Sequence, residues 1–206
     1  MIFYMEKIIA KELLSIGAVF LRPDDPFTWA IGIKSPIYCD NRLTLSAPSV
    51  RDKVEAGLAA LVREHFPECE MLMGTSTAGI AHAAMTAVLL NLPMGYVRSE
   101  SKTHGRTNRI EGRMEKGTKV VVVEDLISTG GSSIDVVEAL RAEGADVLGI
   151  VSIFTYRLKK GFDRIAAAST VNYSLSNLDA LVEVAVEEGY ISESQKVDIL
   201  KFRDSL

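Results

Sequence analysis

Two adjacent carboxylates, Glu124 and Asp125, stand just before a run of hydroxyls and glycines: Ser128, Thr129, Gly130, Gly131, Ser132 and Ser133. Such a run can cradle an anion, because glycines let the backbone approach closely and take positive φ, while the hydroxyls add donors. A phosphate would fit there. The acids would repel it, so they should face another part of the same ligand; vicinal sugar hydroxyls or a magnesium ion are their natural partners.

These residues need a frame, and the flanking sequence supplies one. The valines at 120–123 form an unbroken β-branched run, the pattern of a strand buried on both faces of a parallel sheet. After the loop, residues 134–140 place Val136, Val137 and Leu140 at helical spacing. The order is strand, acids, small-residue loop, helix. Ligands of open α/β sheets collect at the carboxyl ends of strands, and a loop opening onto a helix offers unpaired amides to an anion. An ordinary strand-to-helix turn is the plainer alternative.

A second unit of the same kind lies upstream: a strand at 70–73, the loop GTSTAG, and an alanine-rich helix at 80–90. Gly74 and Gly79 have P-loop spacing, but Ile80 and Ala81 stand where Lys and Ser or Thr would be needed. A second anion loop and a tight packing turn are both open. Residues 98–113 are polar and carry Arg98, Lys102, His104, Arg106, Arg109 and Arg113 against Glu100 and Glu111. A loop of this length between core strands is either functional or a solvated surface. A further strand at 146–154 ends in Thr155, Tyr156 and Arg157, which puts Arg157 either at a ligand edge or simply at the surface.

The remaining segments read as scaffold. A helix covers 5–20 and ends near Gly17. Pro23, Pro26 and Pro36 exclude a helix from 21–45, where Ile31, Ile33, Ile37 and Tyr38 fit two short strands joined near Lys34, part of a lid-like hood. A helix at 49–66 takes Ser49 as N-cap, a short strand follows at 93–97 and another at 169–174. Helices come next at 177–188 and 192–202, the last opened by Ser192 and Gln195 as a capping box. At 206 residues the chain is one domain. Its net charge of −4 argues against a nucleic-acid partner. The amino-terminal segment is neither a signal peptide nor a membrane span. Cys39 and Cys69 lack metal-ligand spacing and suggest a reduced, cytoplasmic protein, while His65, His82 and His104 are too scattered for zinc.

The segment EDLISTGGSS resembles the phosphoribosyl pyrophosphate (PRPP) motif of type I phosphoribosyltransferases. FTWAIGIKSPIYCDNR is similar to the hood of the orotate phosphoribosyltransferases, and RSESKTHG resembles their catalytic loop. With GTSTAGI these make four motifs in the expected order between residues 27 and 157. The resemblance implies an α/β, type I phosphoribosyltransferase fold: a parallel-sheet core flanked by helices, about 50–165, under a small hood at about 20–45 completed by parts of the carboxyl-terminal region. It implies transfer of the phosphoribosyl group from PRPP to orotate, giving orotidine 5′-phosphate and pyrophosphate in pyrimidine biosynthesis. A transferase for another base, or a PRPP-sensing regulator without turnover, are the rival readings.

Carried over residue by residue, the resemblance implies PRPP contacts along Glu124, Asp125, Leu126, Ile127, Ser128, Thr129, Gly130, Gly131 and Ser132. Ser128 to Ser132 would hold the 5′-phosphate, and Glu124 and Asp125 the ribose. Thr77 and Ala78 fall in the pyrophosphate loop. Arg98, Lys102 and His104 would meet pyrophosphate across a homodimer, with the 98–113 loop reaching the partner's site. Arg157, Ser128, Lys34 and the backbone of Tyr38 and Cys39 would meet orotate. The catalytic set is Lys102, His104, Glu124 and Asp125, with Mg²⁺ held mainly by PRPP and water rather than by protein ligands. Ile31 replaces a usual hood Ser, and Ala30, Ala78 and Ser99 replace basic residues of some members, so fixed positive charges are fewer.

Overall fold

A computed structural model describes residues 2–28, 34–99 and 109–206, with side chains from Met5 onward. Lys102 and His104, and the hood positions Ala30 and Ile31, lie outside the described residues. The centre is a six-stranded sheet in the order β10-β9-β8-β5-β6-β7, where β5 is Met71–Thr75, β6 Met94–Val97, β7 Ile110–Glu111, β8 Lys119–Ile127, β9 Asp146–Thr155 and β10 Asn172–Asn177. All neighbours are parallel except β6 and β7, which pair antiparallel.

The valine run explains why β8 is central. Val120, Val121, Val122 and Val123 are each 0 % exposed, and the two-residue period of a strand sends them alternately to opposite faces. Val121 and Val123 join a core with Leu58 and Val62 of α2 (Pro48–His65) and Ala83 of α3 (Ala78–Leu90). Val120 and Val122 join the other core, with Val136, Val137 and Leu140 of α4 (Gly131–Ala142). Helices α1 (Ile2–Ser15), α6 (Leu178–Glu187) and α7 (Glu193–Asp204) extend the first core, and α5 (Lys159–Ala167) the second. No helix of the described residues is long and apolar enough to cross a membrane.

Several boundaries depart from expectation. Helix α1 stops at Ser15 rather than near residue 20: Gly17 takes φ +66°, the chain turns, and Val19–Leu21 becomes strand β1. Of the two short strands expected through Ile31, Ile33, Ile37 and Tyr38, the second is present as β4 (Ile37–Cys39), while Ile31 and Ile33 lie outside the described residues. Strand β4 pairs with β1, and β3 (Lys34–Ser35) with β2 (Phe27–Thr28), as two separate antiparallel ribbons. Ser49 is not the N-cap of α2, because Pro48 takes the first helical position, where its missing N–H costs nothing. Helix α5 went unexpected although its sequence is strongly amphipathic, with Gly161 and Ile165 buried between charged residues, whereas the Ser192–Gln195 capping box of α7 is present as read.

The two glycines of the upstream unit both stand at close approaches of α3 to the sheet. A Cβ on Gly79 would collide with Val123 O and lie 2.5 Å from Thr75 Oγ1, and one on Gly74 would lie 2.8 Å from Ile80 Cα. Both serve close packing of α3 on the sheet. The Gly79→Ala variant should therefore lose about 1–3 kcal/mol of stability, since backbone rather than a pliant side chain bars the new methyl; the shift of the urea midpoint at unchanged slope measures it.

Candidate functional site

The parallel register of β5, β8 and β9 brings their carboxyl ends to one edge, with Gly74 beside Val123 and Ile127 beside Thr155. Strand β8 runs past the valines through both acids, so Glu124 and Asp125 are strand residues whose side chains leave opposite faces. After it, Ser128 and Thr129 lead to Gly130 at φ +72°, and α4 begins at Gly131 with no side chain capping its first turn. Its leading amides are free for a ligand, which the helix dipole would favour if anionic.

The loop is braced from behind by α5. A Cβ on Gly161 would lie 2.5 Å from Ser128 O, so only glycine permits that approach. Arg164 Nη1 donates to Thr129 O and Oγ1, both at 3.3 Å. Arg164 thus places a cation behind the hydroxyl loop; the amphipathic pattern of α5 could have shown the helix, but not that it packs against a loop remote in the chain.

Glu124 is 5 % exposed. Its Oε1 accepts from Thr75 Oγ1 at 2.7 Å and Asp125 N at 3.0 Å; its Oε2 accepts from Ser132 Oγ at 3.2 Å and Ser133 Oγ at 2.9 Å. Asp125 is differently placed. Burial and the neighbouring Glu124 carboxylate push its pKa up to about 7. Asn41, absent from the sequence-based set and fully buried, donates from Nδ2 to Asp125 O at 2.7 Å, while its Oδ1 accepts from Cys39 Sγ at 3.3 Å. It ties β4 to the site.

On β4 the even residues face β1: Asp40 N bonds Ala18 O and Arg22 N bonds Pro36 O. The amides of odd residues therefore point the other way, and Cys39 uses its backbone to hydrogen-bond Tyr156. Burial raises the Cys39 thiol and the Tyr156 phenol well above their ordinary values, so both are neutral at physiological pH. Tyr156 is a second residue that the sequence reading passed over as a site neighbour. Tyr38 is 40 % exposed and packs its ring 5.8 Å from Phe27. Lys34 Nζ donates to Thr28 Oγ1 at 2.8 Å.

Arg157 takes φ +55° directly after β9, and its guanidinium reaches Asp179 Oδ2 at 3.4 Å and Glu6 Oε1 at 3.9 Å. On the other flank, Ser76 Oγ donates to Val97 O at 2.6 Å, which fixes the loop carrying Thr77 and Ala78 beside β6. Arg98 continues from β6; its N bonds Arg109 O and its O receives Arg109 Nε, both at 2.9 Å. Arg98 Nη1 is buried 3.7 Å from Glu111 Oε1, without a hydrogen-bond partner among the described residues. The expected polar stretch thus ends as a strand, β7, that returns along β6.

A phosphoribosyl transferase domain model matches residues 46–187. An orotate phosphoribosyltransferase of Bacillus cereus is 60 % identical over 199 residues, 97 % of this chain and 95 % of that one. The chain belongs to the orotate phosphoribosyltransferase family. Among solved structures, an orotate phosphoribosyltransferase from Aeropyrum pernix is 29 % identical, with TM-score 0.77 over 89 % of this chain and 99 % of that one. The UMP synthase of Leishmania donovani is 25 % identical with TM-score 0.84; this chain is matched over 98 % of its length and covers 42 % of that larger protein.

For an orotate phosphoribosyltransferase the geometry gathers the hydroxyl loop, Glu124, Asp125 and the Thr77–Ala78 turn at one sheet edge, with β4 and Arg157 bordering it. The raised pKa of Asp125 has a consequence for stability. The folded state holds this proton to about pH 7, whereas the unfolded chain releases it near pH 4. Stability is therefore lost as pH rises between those values. The Asp125→Asn variant should match the parent at pH 4 and exceed it at pH 8, by up to about 4 kcal/mol; urea midpoints at the two pH values measure this.

Proposed function

We infer that this chain transfers the 5-phosphoribosyl group of PRPP to orotate, releasing pyrophosphate and giving orotidine 5′-phosphate. The observation that carries the reading is the uncapped first turn of α4 behind Ser128, Thr129 and Gly130, with Asp125 beside it on the preceding strand. That arrangement suits a ligand with a phosphate at one end and hydroxyls next to it, and the family of the chain supplies the chemistry. Loss of orotate absorbance in the presence of PRPP and Mg²⁺, with no turnover of uracil, hypoxanthine or adenine, is the expected result; activity with one of the other bases instead would overturn the choice of substrate.

In this reading the 5′-phosphate sits on the amides and hydroxyls of residues 128–132, with Glu124 and Asp125 on the ribose side. Orotate lies beside Tyr38 and Cys39 at β4, its carboxylate drawing Arg157 away from Asp179. Breaking the bond from C1′ to pyrophosphate leaves a cationic sugar and a highly charged leaving group, so the protein's task is electrostatic stabilisation and positioning. Arg98, Lys102 and His104 supply positive charge on the pyrophosphate side. In this reading Mg²⁺ is carried chiefly by PRPP oxygens and water. Bound there, Mg²⁺ neutralises charge on the leaving pyrophosphate. Orotate arrives as an anion, so a strong protein base is unnecessary.

The family's homodimer also has support on the surface. Helix α3 carries no charged residue along Ala78–Leu90, and Val88 is 80 % and Leu89 48 % exposed at its end. An apolar helix face of this kind is suited to covering by a second copy. Both cysteines are free thiols, in keeping with a cytoplasmic setting.

The Lys102→Ala variant should lose at least about tenfold in kcat, more than about 1.4 kcal/mol of barrier, with its melting temperature unchanged. Full turnover would remove that lysine from the mechanism. If the loop acts across the dimer, mixing inactive Lys102→Ala and Asp125→Ala subunits should restore activity, because one composite site then holds both intact residues. Demonstrated subunit exchange without recovery would mean that each site is built within one chain.

A further inference from the structure

The anions that hold Arg157 come from two helices remote from one another in the chain, Glu6 of α1 and Asp179 in the first turn of α6. Asp179 is shared. Its Oδ2 lies 3.4 Å from Arg157 Nη1, while its Oδ1 accepts from Arg203 Nη1 of α7 at 2.6 Å. Arg203 also donates from Nε to Asp204 Oδ1 at 2.8 Å, so Arg157 and Arg203 face Glu6, Asp179 and Asp204, and the cluster holds no surplus positive charge. The lysines bordering it, Lys7 and Lys159, are paired with Glu187 and Asp163. The two contacts of Asp179 differ in kind. The Arg203 side chain is 16 % exposed and its bond is short, whereas the Arg157 side chain is 43 % exposed and its bond is long. Arg157 is thus the partner that can part from Asp179 at little cost.

We propose that Asp179 is a built-in substitute for the carboxylate of orotate: it occupies Arg157 while the site is empty, yields it when orotate binds, and takes it back when the nucleotide leaves. This rests on the orotate reading given above and adds the group that opposes it. The exchange is carboxylate for carboxylate, so the guanidinium loses one anion as it gains another and the net gain is small. The product keeps the carboxylate on its ring, so the competitor that weakens orotate binding also eases release of orotidine 5′-phosphate. A base without that carboxylate has nothing to offer Arg157 and leaves the pair with Asp179 closed. Arg203 sets the strength of the competition, because by sharing the charge of Asp179 it loosens the hold on Arg157. Asp179 is therefore a positioning residue that acts through Arg157 rather than by touching the substrate.

The test compares, by calorimetry, two nucleotides that differ only in the carboxylate: orotidine 5′-phosphate and uridine 5′-phosphate. In Asp179→Asn, orotidine 5′-phosphate should bind about threefold more tightly, the size of effect expected from a partly exposed ion pair, with uridine 5′-phosphate unchanged. Arg203→Gln should do the reverse. Asp179 is then left to Arg157, and orotidine 5′-phosphate should bind about threefold more weakly, again with uridine 5′-phosphate unchanged. Opposite shifts confined to one ligand are not what a general loss of packing produces. In steady state, KM for orotate should fall in Asp179→Asn while KM for PRPP stays within about twofold. In an Arg157→Ala background, Asp179→Asn should change neither affinity, since the competitor has lost the group it competes for. If Asp179→Asn does not melt cooperatively, Arg203→Gln carries the measurement. Unchanged or weaker binding of orotidine 5′-phosphate by Asp179→Asn, unchanged or tighter binding by Arg203→Gln, equal shifts for both nucleotides, or an effect that survives Arg157→Ala overturns the proposal. Parent protein that binds the two nucleotides equally removes the reading of the carboxylate by Arg157 together with this inference; a parent that prefers orotidine 5′-phosphate leaves that reading intact whatever the variants show.

Discussion

The common edge formed by three parallel strands constrains everything else at the site. Strands β5, β8 and β9 run the same way in a fixed register, so the chain delivers one loop after another to a single line of space. Such an edge is a poor place for polar backbone unless something binds there or something ties it down. Here both happen. The Thr75, Ser132 and Ser133 hydroxyls are drawn to one buried carboxylate, while the leading amides of α4 are left to a ligand.

The electrostatics follow from this layout. Two acids are adjacent in sequence on one strand, and burial makes their coexistence as anions costly. One is stabilised by four donors, so the burden falls on its neighbour, and Asp125 keeps its proton to about pH 7. A cation or a bound sugar would reverse that balance locally, because each favours the charged carboxylate. Among the described residues, Arg157 is held by Asp179 and Glu6 and Arg98 lies near Glu111, whereas Arg164 meets only the Thr129 carbonyl and hydroxyl. For Arg157, binding of an anionic ligand is an exchange of partners rather than a capture by unpaired charge.

What the sequence made legible was whatever obeys a short-range rule. Four β-branched residues announced β8, small residues after it announced the loop, and a Ser-to-Gln spacing announced the cap of α7. The family motifs then located the site without any need of distances. What stayed hidden depends on neighbours remote in the chain. Asn41 belongs to the site because it meets Asp125 O, 84 positions away; Tyr156 because it meets Cys39; Arg164 because α5 packs behind a loop. The partner of β4 was hidden for the same reason, since it is β1, on the amino-terminal side of the hood.

The reciprocal bonds between Arg98 and Arg109 cross-stitch the chain at the two points where it leaves and rejoins the sheet. The chain therefore leaves and rejoins the sheet at a closed neck, not at independent strand ends. Changes in the number or composition of the residues between Arg98 and Arg109 need not be transmitted to the strand register, and the sheet can stay fixed while that segment diverges. A cut made within the segment would likewise leave both stumps anchored, so that loss of turnover on nicking could be separated from loss of fold.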